Sequence, residues 1–143
     1  MAFKFEDNSR KVINQMHNVS ETAMEAACLV VEASVKSLVV SKHGTGELRD
    51  KIDHQVKRQG SNVIGQVGSP LDHAIYNEFG TGEFAENGAG RKGGWSYQTP
   101  DGKWHFTRGM APRPFLRPGF RNNKENIKQI IGSEFRTNFT GGW

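Results

Sequence analysis

The sequence predicts an α+β fold, with a long N-terminal helix and a C-terminal helix packed on a small antiparallel sheet, and a projecting β-hairpin loop. Three observations predict it. Apolar residues recur at steps of three and four through residues 8–40, alternate on both sides of a glycine turn through residues 52–68, and recur at helical spacing after a proline-rich stretch near the C-terminus.

The first helix carries its apolar residues at Val12, Met16, Val19, Ala23, Ala26 or Ala27, Val30, Ser34 or Val35, and Leu38. That is one amphipathic stripe, with Asn8 or Ser9 as the cap and Gly44 and Gly46 as the stop. Its alanine-rich middle allows close approach of another helix. Glu47-Leu48-Arg49-Asp50-Lys51-Ile52 reads as a short helical turn. Next, Ile52, His54 and Val56 alternate with polar residues, Gln59-Gly60-Ser61 turns the chain, and Val63, Gly65 and Val67 alternate again before Pro70. This describes a β-hairpin with one buried face.

Residues 72–79 are helix-like, with Ile75 and Phe79 on one face and Gly80 as the stop. A glycine-rich charged loop follows through residues 81–94. Trp95-Ser96-Tyr97-Gln98 and Lys103-Trp104-His105-Phe106-Thr107, joined by Thr99-Pro100-Asp101-Gly102, then spell a second hairpin. Trp95 and Tyr97 share a face of the first arm, and Trp104 and Phe106 a face of the second. A two-stranded element is marginal alone, so residues 81–110 read as an arm ordered by a partner. Prolines 112, 114 and 118 hold the chain extended until Pro118 opens a helix carrying Phe120, Ile127, Ile130, Ile131 and Phe135; Gly132 weakens it, and residues 139–143 form a loose tail.

Composition bounds the function. The 143 residues suit one domain, 1–143, without disulfides or structural metal. A hydrophobic content of 35% with mean hydropathy −0.64 fits a modest core with exposed segments, or a subunit completed by its neighbours. The single Cys28, in an apolar run, reads as a small buried hydrophobe and excludes an internal disulfide. The N-terminus lacks the apolar core of a signal peptide, and no apolar run approaches a membrane span, so no membrane role and assembly in a reducing cytoplasm are expected.

Three segments carry a resemblance: Thr45-Gly46-Glu47-Leu48-Arg49-Asp50-Lys51-Ile52, Ala74-Ile75-Tyr76-Asn77-Glu78-Phe79-Gly80-Thr81-Gly82, and Pro112-Arg113-Pro114-Phe115-Leu116-Arg117-Pro118-Gly119-Phe120. In this order they resemble the neck, or tail-component, family of long-tailed bacteriophages, over roughly residues 8–138. Gly119 departs from the pattern, where a helix former is usual, and softens the start of the last helix. The resemblance implies a virion protein assembled in the host cytoplasm: a ring-forming, hexameric neck or tail-completion subunit, stacked between head-closure and tail proteins around the DNA channel. A tail terminator capping the tail tube is the alternative.

Within the motifs, Tyr76 and Phe79 are expected to bury their rings, while Glu78 faces out or pairs with Arg113 or Arg117. Gly80 and Gly82 supply backbone angles other residues resist. Pro114, Phe115, Leu116, Arg117 and Pro118 form a proline-clamped anchor that inserts Phe115 and Leu116 into the core. Candidate subunit-interface residues are Trp95, Tyr97, Trp104 and Phe106, aromatic side chains in a poorly supported loop.

No catalytic constellation is present, and no cofactor is expected. The histidines at 17, 43, 54, 73 and 105 lack metal-ligand spacing, and an Asp72, His73 and Glu78 site is the weaker reading of a helix start. Residues 88–94 lack the strand-before, helix-after setting of a phosphate cradle. Net charge is +4 with pI about 9.4. Nucleic-acid binding is the alternative of another class: Arg91 and Lys92 beside Trp95, Tyr97 and Trp104 combine cations with rings, and Arg113, Arg117, Arg121, Lys124 and Lys128 make a possible basic stripe. Glu83, Glu86, Glu125 and Glu134 are interspersed, which favours a solvated face and, at most, non-specific contact with channel DNA.

Overall fold

The computed structural model describes residues 2–39 and 46–139. The stop at Gly44, and residues 140–143 of the expected tail, lie outside the described residues. Helix α1 spans Ser9–Leu38 and α2 Glu47–Asp50; strands β1 (Asp53–Gln59) and β2 (Asn62–Gly68) form the first hairpin. Helix α3 is His73–Phe79, β3 (Trp95–Gln98) and β4 (Trp104–Thr107) the second hairpin, and α4 (Leu116–Arg121) and α5 (Lys124–Asn138) close the chain. The class is therefore α+β as expected, with two separate two-stranded antiparallel sheets among the described residues. No helix among the described residues is long and apolar enough to cross a membrane.

Helix α1 is the spine. Its buried stripe is Val19, Ala23, Ala27, Cys28, Val31 and Val35, with Val31 taking the place expected of Val30. Small side chains on this stripe let the hairpin and α4 come close. A methyl group built on Gly65 of β2 would lie 2.5 Å from Cys28 Sγ, so only glycine fits where the strand crosses the helix. Neither Asn8 nor Ser9 caps α1 through its side chain; instead the Asp7 carboxylate accepts the Ser9 amide at 2.9 Å.

The first hairpin pairs Gln59 with Asn62 across a Gly60-Ser61 turn, one residue shorter than expected. Alternation holds: His54 and Val56, then Val63, Gly65 and Val67, face inward. Val31, Val35, Ile52, Ala74 and Phe115 make the central cluster, with Leu48, Val67, Leu116 and Ile127 around it.

The C-terminal helix departs from expectation. It starts at Leu116, before Pro118, and is broken at Asn122 and Asn123. Pro118 falls in the first turn, where its missing N–H has no helical partner to lose. At the break, buried Asn123 donates its side-chain amide to the Gly119 carbonyl at 2.7 Å, satisfying an acceptor at the end of α4. Gly119 does not merely soften the helix: a methyl group there would meet Val35 Cγ2 at 2.4 Å, so its bare backbone sets how closely α4 lies on α1.

Candidate functional site

The two motif segments at residues 74–82 and 112–120 meet at one carboxylate. Glu78 on α3 is 2% exposed, whereas Ile75 and Tyr76 on the same helix are 63% and 54% exposed. Tyr76 and Phe79, expected to bury their rings, are exposed instead, Phe79 at 43%, and of the two readings of Glu78 the paired one holds and the outward-facing one does not. The reason is electrostatic. Glu78 Oε2 accepts the amides of Phe115 (2.7 Å) and Leu116 (2.9 Å), and Oε1 accepts the Arg117 amide (3.1 Å) and Arg117 Nε (2.8 Å). The free N–H groups opening α4 need an acceptor, and a carboxylate carried from 37 residues upstream supplies it.

Burial pushes the Glu78 carboxyl upward, but the three amides and the Arg117 guanidinium outweigh it, and the net shift is below the ordinary glutamate range. The pairing expected with Arg117, and not the one with Arg113, is what forms. Arg117 also donates to the Glu78 carbonyl at 3.0 Å and grips both oxygens of Glu86 at 2.9 Å. Its guanidinium lies 4.6 Å from the centre of the Phe79 ring. One arginine thereby ties α3, the loop beyond it and α4 together, which removes it from any basic stripe. Its own pKa moves up, chiefly through Glu86 and then Glu78.

This junction holds the root of the arm. The Gly80 amide closes α3 on the Tyr76 carbonyl, and the Thr81 and Glu83 amides donate to the Met110 and Arg108 carbonyls, each at 2.9 Å. Gly82, at φ +61°, leaves no room for a side chain: a methyl group would sit 2.2 Å from the Arg108 carbonyl oxygen. Phe115 is 1% exposed and Leu116 packs beside it, the core anchor expected of the proline-flanked segment. Beyond the root, Trp95 lies under Arg91 at 5.8 Å and Tyr97 stacks on His105 at 5.3 Å. The register puts Trp104 and Phe106 on the opposite face from Trp95 and Tyr97, and they are 69% and 62% exposed. Sequence alternation gave each pair its face but not that the two pairs oppose one another.

A second polar cluster was not anticipated from sequence. His54, on the inward face of β1, bonds Glu25 through Nε2 at 2.5 Å and Glu32 through Nδ1. Lys36 pairs with Glu32 at 2.5 Å, and Arg58 with Glu21 at 2.6 Å. Hydrogen bonds to the Glu25 and Glu32 carboxylates raise the His54 pKa. Glu32, Asp53 and His54 do offer ligand atoms within 4.8 Å of one another. Both ring nitrogens are taken up by carboxylates, however, so His54 bridges β1 to α1 and leaves neither nitrogen open to a metal. Asp72 and His73 are exposed while Glu78 is buried, and these three are not among the metal-like groupings of the described residues.

Comparison with known protein families gives a match. The model of the family described as "Bacteriophage HK97-gp10, putative tail-component" matches residues 3–80, more than half of the chain. It takes in the first motif and ends at Gly80, within the second; the third, which Glu78 holds, lies beyond it. No curated protein and no solved structure matches the chain.

Proposed function

Since the chain belongs to the bacteriophage HK97-gp10 tail-component family, and is thus a tail-related structural protein of the virion, we propose that it is the ring-forming neck or tail-completion subunit that joins a DNA-filled head to its tail. The observation that carries this reading is the Glu78–Arg117 junction. It fixes the root of a two-stranded arm to a helical body, and the arm presents Trp104 and Phe106 to solvent. Large aromatic side chains displayed on a firmly rooted hairpin are what a subunit contact needs.

In this account the partners are further copies of the chain in a hexameric ring, and the head-closure and tail proteins stacked on it. Closed rings arise when one surface patch fits a different patch on the next copy. DNA in the channel is touched without sequence preference, through exposed lysines and arginines. Immunogold labelling of intact virions with an antibody to this chain tests the assignment. Label at the head–tail junction is expected; label along the tail or at its distal tip would overturn it.

A further inference from the structure

An open apolar groove of about 670 Å³ runs between α1, β2 and the start of the C-terminal helices. Inward-facing Val63, Gly65 and Val67 line it, and so does outward-facing Ile64, so it passes the open edge of β2. Among the described residues its charged lining is Arg117, already held by Glu78 and Glu86, and Arg121, which has no ion pair. An unpaired strand edge beside an apolar trough suits an extended chain added as a third strand.

The same molecule carries such a chain. Ahead of α1, Ala2-Phe3-Lys4-Phe5-Glu6-Asp7 has no helix or strand, and Phe3 and Phe5 are 94% and 91% exposed. Alternation puts both rings on one side of an extended strand. Glu6 pairs with Lys4 at 2.7 Å on the other side of the segment, whereas Asp7 falls on the side of the rings and brings a carboxylate toward Arg121. The segment cannot place both rings in its own groove. On α1 the nearest lining residue is Met24. It lies about 22 Å along the axis from Ser9 at 1.5 Å per residue, whereas the chain from Phe5 to Ser9 reaches about 14 Å at most.

We propose that the N-terminal segment of one copy docks in this groove of the next copy, adding to the edge of β2 with Phe3 and Phe5 in the apolar trough and Asp7, on the same side as the rings, near Arg121. Donor and acceptor surfaces differ, so each copy both gives and receives a segment, and the contact propagates head to tail. The inference rests on the ring reading and supplies one of its subunit contacts.

Site-directed disulfide formation tests it in the full chain. With Cys28→Ala removing the native thiol, Phe5→Cys and Ile64→Cys are combined; both positions are exposed, and Ile64 is 37% so. Mild oxidation is expected to give a reducible ladder of linked chains well beyond dimer, in purified protein or in virions. Either cysteine alone is expected to give no product larger than a dimer. A protein that is oligomeric by native mass spectrometry yet forms no Phe5–Ile64 link overturns the docking and leaves the ring standing. A chain that is monomeric in solution and unlinked in virions likewise overturns the docking, while the ring reading falls only if immunogold label is absent from the head–tail junction.

Discussion

Replacing Glu78 with glutamine keeps the volume of the side chain and removes its charge. The glutamine oxygen can accept from one or two of the amides of Phe115, Leu116 and Arg117, while its NH₂ group turns a donor toward the rest. Hydrogen bonds to charged acceptors contribute about 1.5–3 kcal/mol each, and a buried donor left unmatched costs about 1–3 kcal/mol. Arg117 keeps Glu86 and remains partly solvated, so it is not stranded. The loss falls mainly on the α4 amides, and a total of about 3–5 kcal/mol is expected, in the range for breaking a buried pair from one side. Urea unfolding followed by circular dichroism measures it. With a slope of about 1–3 kcal/mol/M, the midpoint of Glu78→Gln should fall by more than about 1 M. Glu86→Gln removes only the solvent-side partner of the same arginine and should shift the midpoint far less. Equal midpoints for wild type and Glu78→Gln would refute the claim that this carboxylate organises the junction. Because the folded pKa of Glu78 is depressed, its stabilisation is full above the unfolded value and is lost as pH falls through the folded one.

Other substitutions probe the remaining elements. Gly119→Ala, a gain of about 1 kcal/mol by helix propensity alone, should instead destabilise by about 1–3 kcal/mol, because the methyl group meets Val35; a raised urea midpoint would contradict the packing argument. His54 has a raised pKa, so its contribution is complete below the unfolded histidine value and is lost as pH rises through the folded one. The melting temperature of wild type should therefore fall between neutral and alkaline pH relative to that of His54→Gln; parallel profiles would show that the bridge to Glu25 and Glu32 carries no linkage. Trp104→Ser with Phe106→Ser should leave monomer stability within about 0.5 kcal/mol, as surface changes do, while reducing incorporation into particles. Unchanged incorporation would remove the arm from the interface.

Much of this fold is legible in the sequence where one element is long enough to show its own period. Thirty residues of α1 display the 3.6-residue repeat many times, and the seven-residue strands flank an unmistakable glycine turn. Helix α3 has seven residues, too few for periodicity to choose a face. Ile75 and Phe79, four apart, suggest one face, yet the buried one belongs to Ala74 and Glu78, because unsatisfied amides of α4 wait there. Pairing of Glu78 with Arg117 was readable as a charge possibility, but its burial depends on a helix start that lies 37 residues away. Gly119 and Gly65 look like weak points by propensity; the close approach of Val35 and Cys28 gives them their purpose, and that is a tertiary fact. His54 was placed inward by strand alternation, while its meeting with Glu25 and Glu32 requires the register of β1 against α1, which no local pattern contains.

The central claim is that this chain joins heads to tails, and electron microscopy of lysates from phage with the gene interrupted tests it most directly. Filled heads accumulating beside free tails of normal length are the predicted result. Overlong, irregular tails would make the chain a tail terminator, and intact infectious virions would contradict both roles.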